Sequence, residues 1–200
     1  LLSDEFDYLI DEMREQGLVE VDNPSALFLS ERPCGVPGSI VTAAMEGTRP
    51  LLVEVQSLVS ETTFGIPRRT AIGVDHNRVS LLAAVLDRVC GFRLSGHDIF
   101  INVAGGVKLG EPAMDLAVVS SLASSFLKRS LDPGTVVFGE VGLTGEVRGV
   151  GQILPRIREA GRMGFNRCIV PRSVSESSKS SEAVEVSGVS SVVELIERAF

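Results

Sequence analysis

Two hydrophobic periods alternate along this chain. Apolar, β-branched runs predict strands at 18–21, 39–45, 50–56, 71–74, 99–103, 135–138, 167–171 and 183–186. Spacings of three and four predict helices elsewhere. One covers 79–90, with Leu82, Val85, Leu86 and Val89 on one face, Asp75 or Asn77 as N-cap and Gly91 as stop. A second opens at Pro112, which suits a first helical position because its missing N–H has no intrahelical partner there. Val118, Leu122 and Phe126 give it an apolar stripe, and Ala117, Ser120, Ser121, Ser124 and Ser125 let it lie close to a neighbour. Others cover 153–162 and 192–200. Glu46 to Arg49 reads as the turn of a hairpin, and residues 139–148 as a second, Gly-punctuated hairpin. Asn23-Pro24 reads as a turn, 59–65 as a polar loop and 173–181 as a mobile serine-rich loop. Residues 1–17 form an acidic, partly helical lead-in, with Phe6, Leu9, Ile10 and Met13 at helical spacing; residues 18–200 form the domain. Hairpins dominate the first half and alternating strands and helices the second. The expected fold class is therefore α+β, a mixed sheet with packed helices.

The centre of the pattern is residues 104–150, where a strand leads through Gly105-Gly106 to Gly110-Glu111-Pro112-Ala113-Met114-Asp115 and the serine-rich helix. Further motifs are Asn23-Pro-Ser-Ala-Leu-Phe-Leu29, Gly65-Ile-Pro-Arg-Arg-Thr70, Gly73-Val-Asp-His-Asn-Arg78 and Asn102-Val-Ala-Gly-Gly106. This set resembles the proteolytic domain of Lon proteases and, within that group, the Lon-like domain of RadA-type recombination proteins. The resemblance spans roughly residues 20–170. It implies the Lon proteolytic-domain fold. It also places the nucleophilic serine at Ala113 and the lysine, ten residues beyond Thr144, at Leu154. A methyl and an isobutyl group supply neither an attacking hydroxyl nor a proton-accepting amine, so the dyad positions are vacant and no catalytic residue is expected.

By the same resemblance, the domain is a scaffold and DNA-binding module of an ATP-dependent recombination and repair protein that processes branched DNA. The resemblance implies a homohexameric ring, single-stranded or branched DNA as partner, and a RecA-type recombinase as a further one. ATP, Mg and Zn belong to an N-terminal part carrying a phosphate loop, a KNRFG linker and a zinc finger. None of those motifs is in this sequence, and no cofactor is expected in the chain itself. Its first residue is Leu1 rather than Met, which reads as a piece of a longer chain. Two alternatives stand beside this: an active Lon-type serine peptidase, and a purely structural ring-closing or partner-docking domain.

Composition limits the classes. Apolar residues make up 44% and charged residues 22%, ordinary for a globular domain. No apolar run approaches the ~20 residues that span a bilayer, and the acidic start is unlike a secretory leader. A cytoplasmic location without membrane contact is expected. Cys34, Cys90 and Cys168 read as buried small residues in a reducing compartment, with no metal-type spacing. His76 reads as a loop or cap residue rather than a metal ligand.

Charge is uneven. The total is −7, with −9 over residues 1–61, +5 over 62–172 and −3 over 173–200. A basic middle in an acidic chain suits a polyanion-facing surface. The candidate DNA contacts are Arg49, Arg68, Arg69, Arg78, Lys108 and Arg148, all at loops or element ends. Arginine suits phosphate because its planar fork donates in pairs. Glu111 and Asp115, four apart, read as helix-dipole and solubility residues.

Overall fold

A computed structural model describes residues 11–14, 17–20, 23–63, 65–175 and 184–200. Strands β1 (Asp11–Arg14) and β2 (Gly17–Glu20) pair antiparallel. The helical lead-in therefore does not hold at residues 11–14; residues 1–10 lie outside the described part. Asn23-Pro24 is also not a free turn. The Asn23 side chain caps helix α1 (Pro24–Leu29) by accepting the Ala26 amide at 3.1 Å, and Pro24 takes the first helical position.

The hairpin β3 (Ser39–Glu46) and β4 (Arg49–Glu61) forms in the expected place. β4 runs on through residues read as loop, because the segment His97–Val103 pairs with it from Val55 to Glu61. Strand β5 (Arg69–Ile72) and helix α2 (His76–Cys90) follow. Asp75 caps α2, and Gly91 ends it in the left-handed region. β6 (His97–Val103) returns parallel to β5, giving a β-α-β unit. Helix α3 (Asp115–Leu127) follows a tight 3₁₀ turn over Pro112–Met114, so Pro112 opens the turn rather than the α-helix itself.

Beyond it come β7 (Thr135–Val137), the small hairpin of β8 (Glu140–Val141) and β9 (Val147–Arg148), and helix α4 (Ile153–Arg162). Next are β10 (Arg167–Pro171), the helical turn α5 (Arg172–Ser175), β11 (Glu185–Val189) and α6 (Val192–Ala199). α5 takes the first residues assigned to the serine-rich loop, and the rest of that loop lies outside the described residues. The main sheet has seven strands in the order β11-β10-β7-β3-β4-β6-β5. The pairs β3–β4 and β4–β6 are antiparallel and the others parallel, so the sheet is mixed as expected.

β3 and the first half of β4 are buried on both faces, which is why they read as near-continuous apolar runs. One face packs Ile40, Val53, Val55, Ile99 and Ile101 against α2, α3 and α6. The other packs Val41, Ala43, Leu52 and Phe138 against Ile157 and Ala160 of α4. α3 is buried on every side from Asp115 to Ser124, not along one stripe. Its serines make that possible by satisfying neighbouring polar groups. Ser121 Oγ lies 2.6 Å from Ser57 Oγ, and Ser124 and Ser125 hydroxyls accept the amides of Gly38 and Val59 at 2.8 and 2.9 Å. Gly38 is required there: its φ is +89°, and a Cβ would sit 2.3 Å from the Ser57 carbonyl oxygen. Of the cysteines, Cys168 is buried and its thiol is pushed up to about 12 by that burial, whereas Cys34 is exposed, contrary to expectation. Among the described residues no helix is long and apolar enough to cross a membrane.

Candidate functional site

The start of α3 meets the start of α2 in a cleft of about 330 Å³. Val79, Leu82, Leu109, Met114 and Val118 form its apolar wall; Arg78, Asp115 and Glu140 are polar groups at its edge. Asp115 is nearly fully buried and holds Arg78 through both carboxylate oxygens, one at 2.8 Å from Nε. It also accepts the Val141 amide at 3.1 Å, while Arg78 Nη2 donates to the Val141 carbonyl at 2.8 Å. The hydrogen bond that Arg78 donates to Asp115 raises the Arg78 pKa above its already high ordinary value. Arg78 is therefore committed to joining α2, α3 and the β8–β9 hairpin, and Asp115 is a structural anion rather than a solubility residue.

Ala113 is buried in the 3₁₀ turn, where its carbonyl accepts the Gly139 amide at 2.8 Å. Leu154 is 37% exposed on α4. Arg156, two positions on, is buried, as is Glu159. Arg156 Nη1 and Nη2 donate to the two Glu111 oxygens at 2.8 and 2.6 Å, and Arg156 also reaches the Ala43 carbonyl and the Phe138 ring. Glu111 further accepts the Met45 amide at 2.7 Å. The polar group beside Ala113 is thus a closed arginine–carboxylate pair, and Glu111 ties α4 to β3. Among the described residues no lysine hydrogen-bonds a serine, and no cluster of three or more His, Cys, Asp or Glu could hold a metal ion.

The six candidate DNA contacts do not share one face. The register places Arg49, Arg78 and Lys108 at the end of the sheet where β6 finishes. Arg148 lies there too, since it lines a groove with Arg78. Arg68 and Arg69 are at the other end, where β5 and β6 begin. The 15 residues of α2 separate the two ends by about 22 Å.

Carboxylates occupy the first end. Arg148 pairs with Glu146 and lies 3.8 Å from Glu140. Glu146 is held down to about 2, first by the Thr144 hydroxyl, then by its own amide and Arg148. A depressed carboxylate stabilises above its unfolded value near 4.5, and that contribution is lost as pH falls toward 2. Thr144→Val is expected to move the Glu146 midpoint upward, toward the ordinary carboxylate range, in a carboxyl-carbon NMR titration. An unmoved midpoint would show that the hydroxyl is not the cause.

The second end holds basic residues that the sequence reading passed over. Arg88 closes the last turn of α2, Arg93 follows it, and Lys128 and Arg129 follow α3. Together with Arg68 and Arg69 they outnumber the acids nearby, Glu61, Asp87 and Asp98. Two of those acids are occupied by backbone amides: Asp98 accepts from Arg68 at 2.8 Å, and Asp87 accepts from Leu94 and Ser95. The Arg68 amide, followed by the Thr62 hydroxyl, holds the Asp98 carboxyl below its usual range. The signal in the sequence was positional: four basic residues at or just beyond the C-terminal ends of two well-marked helices. Arg93 and Lys128 have φ of 56° and 54°, left-handed conformations that cost an L-residue roughly 1–2 kcal/mol and that glycine adopts freely.

Comparison with known proteins places this architecture in a recognised domain class. The family model described as subunit ChlI of Mg-chelatase matches residues 53–174, and the chain belongs to that family. A relative from Bacillus subtilis (strain 168) named DNA repair protein RadA is 54% identical over 185 residues, 92% of this chain and 40% of its own length. A relative of the same name from Halalkalibacterium halodurans is 53% identical over 93% of this chain and 41% of its own. One from Listeria monocytogenes is 48% identical over 94% and 41%. The resemblance to RadA-type proteins is thereby shown, and the chain spans about two fifths of the length of these curated relatives.

Proposed function

We propose that this chain is the phosphate-contacting scaffold domain of a DNA repair and recombination protein, built on a Lon-like fold whose Ser-Lys dyad is vacant at Ala113 and Leu154. The relatives named DNA repair protein RadA support the setting. The observation that carries the contact is the crowding of Arg68, Arg69, Arg88, Arg93, Lys128 and Arg129 at one end of the fold, where no carboxylate pairs with Arg69, Arg88, Arg93 or Lys128 among the described residues. Of the candidates first read from sequence, Arg68 and Arg69 belong to this surface. Arg78 and Arg148 are tied up in ion pairs, and Lys108 and Arg49 lie at the far end. Assembly into a hexameric ring, docking of a RecA-type recombinase, and ATP, Mg and Zn sites elsewhere in the whole protein belong to the same proposal, as does a cytoplasmic location.

Phosphate contact by arginine makes affinity fall steeply with salt, by a slope of about 0.9 per neutralised phosphate on a duplex. Arg68→Ala/Arg69→Ala/Arg88→Ala is expected to weaken binding of a 20-base-pair duplex at low salt and to lower that slope by about 2 to 3. Arg78→Ala/Arg148→Ala should leave the slope unchanged. Equal slopes for wild type and the triple variant would overturn the assignment of this end.

A further inference from the structure

The basic end encloses a cleft of about 710 Å³ between the close of β4, the start of β6 and the ends of α2 and α3. Its lining combines two kinds of side chain that rarely meet by accident. Phe92 and Phe126 stack with centroids 4.8 Å apart at 14°, and the His97 and Phe126 rings meet edge-to-face at 5.3 Å and 72°. His97 Nδ1 lies 3.1 Å from the Arg93 carbonyl, which fixes that ring in place. Beside this aromatic wall stand Arg93 and Lys128, and Glu61 is the carboxylate on the rim. The Ser124 and Ser125 carbonyls near the end of α3 accept the Lys128 and Arg129 amides.

The conformations of Arg93 and Lys128 sharpen the point. Both sit in the left-handed region, where glycine would be the easier residue, yet both are cations lining one cleft. Lys128 occupies the position after a helix that glycine usually takes.

The geometry points to this cleft as a binding site for a nucleotide whose base is unpaired, its phosphate between Arg93 and Lys128 and its base against Phe126 and His97, with the Glu61 carboxylate able to accept from a Watson–Crick N–H that pairing would otherwise occupy. Aromatic rings give stacking tolerant of base identity, and cations track the phosphate. A paired base cannot present its face to such a wall, so the site separates single strands from duplex. This rests on the phosphate-contacting role proposed above and deepens it. The same chemistry also fits a free nucleotide, and the experiment tells the two apart.

Binding of a labelled 20-nucleotide oligothymidylate, a 20-base-pair duplex and thymidine 5′-monophosphate is measured for the chain and its variants. Lys128→Gly and Arg93→Gly relieve left-handed strain, so their melting temperatures should equal or exceed that of wild type. Each is nevertheless expected to weaken oligothymidylate binding five-fold or more. Phe126→Leu is expected to lower the single-strand to duplex affinity ratio at least five-fold. Competition by the monophosphate at matched nucleotide concentration would identify a free nucleotide as the occupant; its failure would identify a strand. Unchanged oligothymidylate affinity in both glycine variants overturns the site, as does an unchanged ratio in Phe126→Leu. Should those variants be silent while Arg68→Ala/Arg69→Ala/Arg88→Ala loses duplex binding, the cleft falls and the phosphate-contacting role stands. Wild type that binds none of the three probes overturns both.

Discussion

Glu111→Ala is expected to destabilise the fold by about 3 kcal/mol, the result of leaving a buried charge without its partly exposed partner. Arg156 is almost fully buried, and Glu111 is its only carboxylate partner among the described residues. Without Glu111, the guanidinium keeps only the carbonyls of Ala43 and Gly151 and the Phe138 face, which do not offset its charge. The Met45 amide loses its acceptor in the same step. Replacing both partners, as Glu111→Ala/Arg156→Met, removes the stranded charge and leaves a linear side chain to fill the space, although the Met45 amide and the Ala43 carbonyl still lose their partners. That double variant should recover most of the loss, with a coupling energy of several kcal/mol in a denaturant-melt cycle. Additive losses would show that the pair contributes packing rather than charge compensation.

This pair also shows where reading the sequence stops. Elements with local signals were legible. Asp75 and Gly91 bound α2 as their cap chemistry predicts, Gly47 sits at φ 59° in the β3–β4 turn, and β10 and α4 lie on their apolar periods. Propensity misled where tertiary pairing decides. Met13 fits a helical spacing yet lies in β1, because residues 17–20 offer a partner strand at the right register. β4 outran its apolar run because β6 supplies hydrogen bonds to residues that look like loop. Charge pairing is harder still. Glu111 and Arg156 are 45 residues apart and Arg78 and Asp115 are 37 apart, and nothing in their local pattern marks them as partners. Local reading gave Glu111 and Asp115 a shared role at a helix start and left Arg78 available to a ligand. The fold instead gives each carboxylate its own arginine. The rest of the basic end was missed for the same reason: Arg93 and Lys128 come from separate segments that only the β5-α2-β6 crossover and the parallel run of α3 bring to Arg68 and Arg69.

Asp115→Asn should produce a different signature from Glu111→Ala, and the contrast tests whether the cleft is held from one corner. Asp115 is buried, but its partner Arg78 keeps 36% of its side chain exposed, so water can recover part of the lost pairing. The expected global loss is correspondingly smaller, about 2–3 kcal/mol. The local consequence is larger than that number suggests. Asp115 and Arg78 between them bind both the amide and the carbonyl of Val141, and β8 and β9 are two residues each. A hairpin that short has little stability of its own and depends on such anchors. Hydrogen exchange at Val141 and Gly142 should therefore accelerate well before the core strands β3 and β4 open, while exchange at Val41 and Val53 tracks global stability. Uniform acceleration across hairpin and core would mean that Asp115 acts only on the whole fold. Since Arg78 and Glu140 line both the cleft and the groove beside the hairpin, selective loosening would also identify this ion pair as what sets the shape of the cleft.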